Sequence, residues 1–202
     1  ALVYAAYDLG NPYQILGGFW AQYWTQGPTG NQFSNYDQYS INSGDFDRQW
    51  IDVYAGPLND FRYIIEEGQK AGNNNYAAIG KIMQAYLFQY VTDMQGDVPF
   101  SESLQGAANL NPKFDTQQEI YDGLIRLVDE GLALLDENSA THPGTDDLFY
   151  HGDMHLWRKF ANTLKLKIFL RQGYVRAAVA QAGVEALYAA NAEFIDFHET
   201  AQ

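Results

Sequence analysis

The sequence predicts an all-α protein. Apolar residues recur at helical spacing along most of its 202 residues, and no segment shows the sustained alternation of a half-buried strand. Clusters of Gly, Pro, Asn and Ser separate the helical segments. With 47% hydrophobic residues, the chain can bury a substantial core. We therefore expect helical hairpins joined by loops, some of them long.

The first part of the chain is predicted to form short helices followed by a long loop. Val3, Tyr4 and Tyr7 would share one helical face. A second helix is expected from about residue 13 to 24, and a loop rich in Gly, Asn and Ser over 27–45. The apolar stripe of this second helix would comprise Leu16, Phe19, Trp20 and Tyr23.

A kinked helix and a buried helix are predicted next. The first begins near Asp47, is interrupted at Gly56-Pro57 because proline removes a backbone donor, and ends near Gly72. The three asparagines at 73–75 would supply the N-cap of the second helix, which extends to about residue 94. Because this helix is apolar nearly all round, we expect it at the centre of the protein.

Three further helices complete the predicted fold. Thr116 and Glu119 have the spacing of a capping box at the start of a helix over 116–136. Helices over 153–172 and 174–190 follow. The pairs 48–71 with 75–94, and 116–136 with 153–172, would form antiparallel hairpins, whose period is too irregular to define a repeat.

Composition excludes several classes of function. The net charge of −13 argues against a nucleic-acid partner. The absence of cysteine excludes disulfides, thiolate zinc sites and cysteine nucleophiles. No run of 18 apolar residues is present, and the start of the chain has neither the charged region nor the cleavage site of a signal peptide. Since the chain also lacks an initiator methionine, we expect a mature or partial chain. We also expect no cofactor.

Several motifs, taken in order, resemble those of the SusD/RagB family of outer-membrane nutrient-binding lipoproteins of Bacteroidota. The most specific is TDMQGDVPFSES at 92–103, followed by WRKFANTLKLK at 157–167. The segments GFWAQYWTQ at 18–26 and FDTQQEIYDGL at 114–124 also fit the family pattern. The resemblance covers nearly the whole chain.

This resemblance implies a tetratricopeptide-like helical fold and a non-enzymatic role. A SusD-like protein captures nutrient, usually a glycan and sometimes a peptide, for a SusC-like TonB-dependent transporter. It is exposed on the outer membrane through a lipidated cysteine, which would lie upstream of Ala1. The resemblance also implies that residues 1–202 form one domain, the N-terminal portion of a longer protein.

Residues 20–39 are the candidate binding segment, because they combine aromatic and amide side chains. The C–H faces of sugar rings pack on aromatic rings, and their hydroxyls pair with amides and carboxylates. Trp20 is expected to be buried with Leu16 and Phe19, whereas residues nearer the loop would face ligand. The same segment could instead contact a protein partner. The candidate ligand-binding residues are Trp24, Gln26, Asn31 and Tyr36, followed by Trp20, Tyr23 and Tyr39.

Other chemistry-bearing groups have simpler explanations. Asp93, Asp97 and Glu102 could be the carboxylates of a glycosidase, but a helix exit at Gly96 explains them better. His151 and His155 lack a clear third zinc ligand, so we expect no metal. Half of the basic residues fall in 158–176, as either an anion-binding cluster or a solvated helix face. Oligopeptide capture, an α-helical glycosidase and a protein-binding scaffold remain open as alternatives.

Overall fold

The computed structural model describes residues 1–199 and confirms the all-α class. No β-strand occurs in this span, and an isolated antiparallel bridge joins Val98 to Asp115. The residues form two compact units, one ending at Asn59 and the other beginning at Asp60. Whether the whole chain behaves as one domain stays a prediction.

The first unit is built from short helical pieces. Two of them are single π-helical turns, Leu9–Tyr13 and Tyr54–Leu58, and one is a 3₁₀ turn, Ser43–Phe46. The α-helices are α1 (Leu2–Asp8), α2 (Gln14–Trp20), α3 (Ser34–Asp37) and α4 (Asp47–Val53). The segment predicted as a loop over 27–45 is thus largely irregular, with α3 and the start of the 3₁₀ turn inside it.

The short helices differ from the prediction at one point, the end of α2. In α1, which contains Val3, Tyr4 and Tyr7 as predicted, the buried residues are Ala5 and Asp8, while Val3 and Tyr7 are exposed. Helix α2 ends at Trp20 rather than near residue 24. The chain turns there through Gln22, whose φ is 60°, and the N–H groups of the next residues bond back to α2 carbonyls.

The kink predicted at Gly56-Pro57 is confirmed. Gly56 has φ −93° and ψ −110°, outside the helical range, and Pro57 follows it inside the π-helical turn. A Cβ at position 56 would lie 2.2 Å from Cε1 of Tyr4, so the Tyr4 ring also requires glycine there.

The second unit contains the longer helices. Helix α5 spans Asn59–Lys70, and the chain then passes through Gly72 in a left-handed conformation, φ 73°. The 3₁₀ turn Gly106–Ala108 precedes α7. Helix α6 packs against α7 and α8, α7 against α8, and α8 against α9. The remaining helices are α6 (Asn74–Gln95), α7 (Gln117–Leu134), α8 (Met154–Arg171) and α9 (Ala177–Ala189).

Helix α6 lies at the centre of this unit, as predicted, with residues from Ala77 to Thr92 buried on several sides. Asn73 lies at the N-cap position of α6, as the run of asparagines predicts, but its side chain makes no capping hydrogen bond. Asn75 is buried instead: its amide donates to the carbonyl of Asp136 at 2.9 Å and accepts from the Asp136 N–H at 2.9 Å. It therefore joins the start of α6 to the chain just after α7.

The predicted helix starts at Thr116 and Asp153 are confirmed. Thr116 and Glu119 form a reciprocal capping box, and Asp153 accepts a hydrogen bond from the Leu156 N–H at 3.0 Å. Both caps satisfy backbone donors that a helix N-terminus leaves unpaired. No helix among the described residues combines the length and the apolar character that spanning a bilayer requires.

Candidate functional site

An array of aromatic rings organises the end of α2, α3 and the 3₁₀ turn of the first unit. The ring of Tyr36 stacks between those of Phe33 and Phe46, with centroids 6.1 Å and 6.4 Å apart. The Trp20 ring lies edge-on to Phe46 at 6.2 Å and tilted against Tyr39 at 6.3 Å. Such offset and edge-on pairs are favourable arrangements for aromatic side chains.

Trp20 is not buried with Leu16 and Phe19, so that expectation is wrong. Leu16 and Phe19 face the core, while Trp20 keeps 39% of its surface exposed. It is the last residue of α2 and lies about 100° round the helix from Phe19. The Tyr39 hydroxyl donates to the Trp20 carbonyl at 3.4 Å and accepts from Gln22 at 3.1 Å, which fixes the exposed pair.

Tyr23 and Trp24 are presented outward by the turn after α2. Tyr23 is 86% exposed and Trp24 is 45% exposed. One side of the Trp24 ring rests on Gly18, where a Cβ would come within 2.4 Å of Cε3. The glycine therefore allows the indole to lie flat against α2 with its other parts open to solvent.

Gln26 and Asn31 lie apart from the ring array. Gln26 is half-buried, its Nε2 atom is inaccessible to solvent and without a hydrogen-bond partner, and its Oε1 atom lies near Gly30. Asn31 is exposed in the turn that precedes α3. Their assignment as ligand-binding residues stays a prediction.

A cavity of about 310 Å³ opens in the first unit beside the ring array. Of the residues predicted to bind ligand, only Tyr36 lines it. Arg48 and Asp52, paired at 3.3 Å, supply its charged groups. Its volume is at the lower end of the range of small-molecule sites. Its aromatic and amide side chains come from Tyr7, Phe33 and Tyr36, and from Asn11, Gln32 and Gln49.

Sequence reasoning missed Tyr7, Asn11 and Gln49, because they come from the first helices and from α4. Only folding brings these elements to one cavity. Two features of composition indicate this part of the chain: Arg48 is its first Lys or Arg, and it is rich in amide side chains. They do not indicate which residues line the cavity.

Asp8 and Tyr13 are buried in the same unit without hydrogen-bond partners for their side-chain oxygens. Burial, and then the charge of Asp52, raises the pKa of Asp8 to about 6. Burial, and then the charge of Asp8, raises the pKa of Tyr13 to about 12. Burying a polar group without a hydrogen-bond partner costs free energy, so Asp8 and Tyr13 lower the stability of the first unit at neutral pH.

The three carboxylates considered for glycosidase chemistry each hold a structural contact. Asp93 accepts the Tyr121 hydroxyl at 2.6 Å and pairs with Arg171 at 2.9 Å. Asp97 accepts the Gln117 N–H at 2.8 Å, beside Gly96 with its φ of 78°. Glu102 accepts hydrogen bonds from the Asn109 amide and the Lys113 N–H. These contacts match the helix-exit interpretation, although Asp97 binds the start of α7 rather than its neighbours.

The two histidines do not form a zinc pair. His151 lies before α8 with φ 51°, whereas His155 lies inside the helix. His155 contacts Glu137 and Glu193, at 3.4 Å and 3.2 Å. Within residues 1–199, no group of three or more His, Asp or Glu side chains is arranged to hold a metal ion.

The basic residues of 158–176 are neutralised by neighbours rather than gathered into an anion site. Lys167 lies over the rings of Tyr86 and Tyr90, at 5.4 Å and 4.5 Å from their centroids. The other five each pair with a carboxylate: Arg158 with Glu137, Lys159 with Glu199, Lys165 with Asp129, Arg171 with Asp93 and Arg176 with Asp122.

The short helices of the first unit frame an aromatic, amide-lined cavity, and comparison with known proteins identifies the family of this all-α chain. Residues 2–200 match the SusD-like family described as "Starch-binding associating with outer membrane". The chain therefore belongs to the SusD-like family, and the resemblance noted in the sequence is confirmed. No curated protein matches it.

Solved structures agree with this assignment. A "chitin-binding protein" is 28% identical, with a TM-score of 0.81, over 96% of this chain and 42% of its own. A SusD homolog from Bacteroides uniformis is 26% identical, with a TM-score of 0.65, over 72% of this chain and 30% of its own. A chitin-binding SusD homolog from Flavobacterium johnsoniae, 22% identical with a TM-score of 0.69, shares the fold over 77% of this chain and 33% of its own. The chain thus spans less than half the length of these relatives.

Proposed function

We propose that this protein captures a neutral saccharide at the cell surface and does not cleave it. The observation that carries the proposal is the pairing, within one unit, of exposed aromatic rings with a cavity walled by amides. Aromatic rings cover the C–H face of a sugar, and amide side chains both donate to and accept from its hydroxyls. Among the described residues that line the cavity, the charged ones are Arg48 and Asp52, which compensate each other, and this suits an uncharged ligand.

Membership of the SusD-like family supports the rest of the proposal. The family description links starch binding to the outer membrane, and one relative of 28% identity is named for chitin binding. We infer that the protein acts at the outer membrane, held by a lipid anchor, and delivers cargo to a SusC-like TonB-dependent transporter. Oligopeptide cargo is the alternative that the binding experiment must separate.

Calorimetry of the protein with chitooligosaccharides, maltooligosaccharides and a set of oligopeptides tests the proposal. We expect binding to one of the saccharide series, with no product released from it on prolonged incubation. Binding of peptides alone, or release of shortened saccharides, would contradict the proposal.

Two tyrosines provide a matched pair of variants for the same experiment. Tyr23→Ala removes an exposed ring of the first unit, and Tyr63→Ala removes an exposed ring of α5. We expect Tyr23→Ala to weaken saccharide binding about twofold to tenfold, the range expected for the loss of one stacked ring, and Tyr63→Ala to leave it unchanged. An equal loss of saccharide affinity in Tyr23→Ala and Tyr63→Ala would contradict the assignment of the binding site to the first unit.

A further inference from the structure

A second cavity, in the second unit, has a different chemistry. It measures about 660 Å³ and lies between α5, α6, α7 and the loop that precedes the 3₁₀ turn Gly106–Ala108. Phe88, Phe100 and Leu127 contribute apolar surface to it. Arg126, on α7, also lines it and is exposed.

Arg126 differs from every other cation in the part of the chain that the structure describes. Ten of the twelve Lys and Arg side chains pair with a carboxylate, and Lys167 lies over two aromatic rings. Arg126 has no such partner among residues 1–199. In a chain with 25 acidic residues, an unpaired guanidinium facing a cavity needs a physical explanation.

The acidic neighbours of Arg126 on its own helix are all engaged elsewhere. Residues at spacings i−4, i+3 and i+4 normally pair along a helix. Here those acids bind cations outside α7, on α6, on α8 and just before α9, and so leave the arginine open. The three pairs are Asp122 with Arg176, Asp129 with Lys165, and Glu130 with Lys81.

Backbone donors lie on the same cavity. The N–H groups of Leu104, Gln105 and Gly106, three consecutive residues that line it, donate no hydrogen bond within the described residues. Leu104 has φ 60°, Gln105 has φ −92° and ψ 0°, and Gly106 has φ 55°. Alternation of left- and right-handed conformations turns successive N–H groups toward one concavity, which is an arrangement that binds anions.

The remaining charges of the cavity are compensated. Arg62 pairs with Glu66 at 2.7 Å, and Glu130 pairs with Lys81 at 2.6 Å. The uncompensated charge is therefore the positive charge of Arg126. We propose that this cavity binds a carboxylate, with Arg126 as the charged partner and the N–H groups of 104–106 as neutral donors, while the apolar surface takes the body of the ligand.

Two sources of such a carboxylate are compatible with this chemistry: a uronic acid of an acidic saccharide and the free C-terminus of a peptide. The test is titration of the ¹⁵N-labelled protein with galacturonic acid and with a short peptide acid. The galacturonate methyl ester and the peptide amide serve as neutral counterparts. We expect saturable shifts of the Leu104, Gln105 and Gly106 amide signals with at least one acid, and we expect salt to lower the affinity. The acid that binds more tightly identifies the source of the carboxylate.

Arg126→Gln should weaken this binding about tenfold or more, because charge-assisted hydrogen bonds are lost. The affinity of Arg126→Lys should lie between those of the parent protein and Arg126→Gln, since lysine keeps the charge and loses the planar donor set. Lys70→Gln, the same change of charge at an exposed position of α5, should leave binding unchanged. Because Arg126 holds no partner, its substitution should not alter the melting temperature.

Equal shifts with the neutral counterparts, or an unchanged affinity in Arg126→Gln, would overturn the proposal. Saccharide binding at the first unit is measured separately with the Tyr23 and Tyr63 variants, so failure of either proposal is distinguishable from failure of the other.

Discussion

The indole N–H of Trp157 donates to the carboxylate of Asp147 across 2.7 Å, and both side chains are buried. The same carboxylate accepts the backbone N–H groups of Phe149, Tyr150 and Gly152 at 3.0 to 3.3 Å. A single acidic side chain therefore shapes the loop before α8 and anchors it to the core.

Asp147→Asn should lower the free energy of unfolding by about 2–3 kcal/mol. The amide keeps one acceptor oxygen, while its NH₂ group faces donors that it cannot satisfy. Denaturant titration measures the loss. Asp146→Asn, at the neighbouring exposed position, is the control and should cost about 1 kcal/mol or less. Equal losses in the two variants would contradict the anchoring role of Asp147.

Asp8 should make stability fall as pH rises through its titration range. Since its pKa is raised from 3.8 to about 6, the folded protein holds a proton between these values that the unfolded chain has lost. We expect Asp8→Asn to flatten the stability profile between about pH 4 and 6, and to stabilise the protein at pH 7 by about 1–3 kcal/mol. The free energy of unfolding is measured at a series of pH values for the parent protein and for Asp8→Asn. Parallel profiles for these two proteins would contradict the role of Asp8.

Gly183→Ala should destabilise the contact between α8 and α9. A Cβ at position 183 would lie 2.3 Å from the ring of Phe169, so either this buried ring or the two helices would have to shift. Overpacking of this kind costs about 1–3 kcal/mol. Gly17→Ala, in open space on α2, should be neutral or stabilising by up to about 1 kcal/mol. Thermal unfolding of both variants distinguishes steric conflict from a general response to loss of glycine.

Gly18→Ala tests whether the position of Trp24 matters for binding. The new methyl group would displace an indole that now lies 2.4 Å from the Cβ position. We expect saccharide affinity to fall to the level of Trp24→Ala, with a change in tryptophan fluorescence. Gly17→Ala, one residue earlier and without a neighbour, should keep the affinity of the parent protein. If Gly18→Ala also keeps it, the ring of Trp24 does not take part.

The features that the sequence predicted correctly depend on short-range signals. The capping box of Thr116 and Glu119 and the kink at Gly56-Pro57 are determined within four residues. The central position of α6 follows from apolar residues on all its sides, so no choice of face was needed.

The predictions that failed depend on contacts distant in the chain. The run of asparagines at 73–75 predicts a side-chain cap locally, but the side chain that forms hydrogen bonds is that of Asn75, which bonds to Asp136, 61 residues away. The spacing of Trp20 fits the apolar stripe of α2, but Trp20 is the last of seven helical residues, so this spacing alone does not determine whether it is buried. The cavity of the first unit is lined by five helical elements, namely α1, the π-helical turn Leu9–Tyr13, α2, α3 and α4, and no local pattern indicates that they meet.

The pairing of nearly all cations with carboxylates has a consequence for how this protein meets other molecules. Each paired cation offsets the charge of the acid beside it. The net charge of −13 is therefore carried by the acidic residues that have no such partner. Neighbouring copies should repel one another within a Debye length, about 10 Å at 0.1 M salt. Dense packing of this protein is therefore favoured by high ionic strength, and at low ionic strength we expect it to stay dispersed.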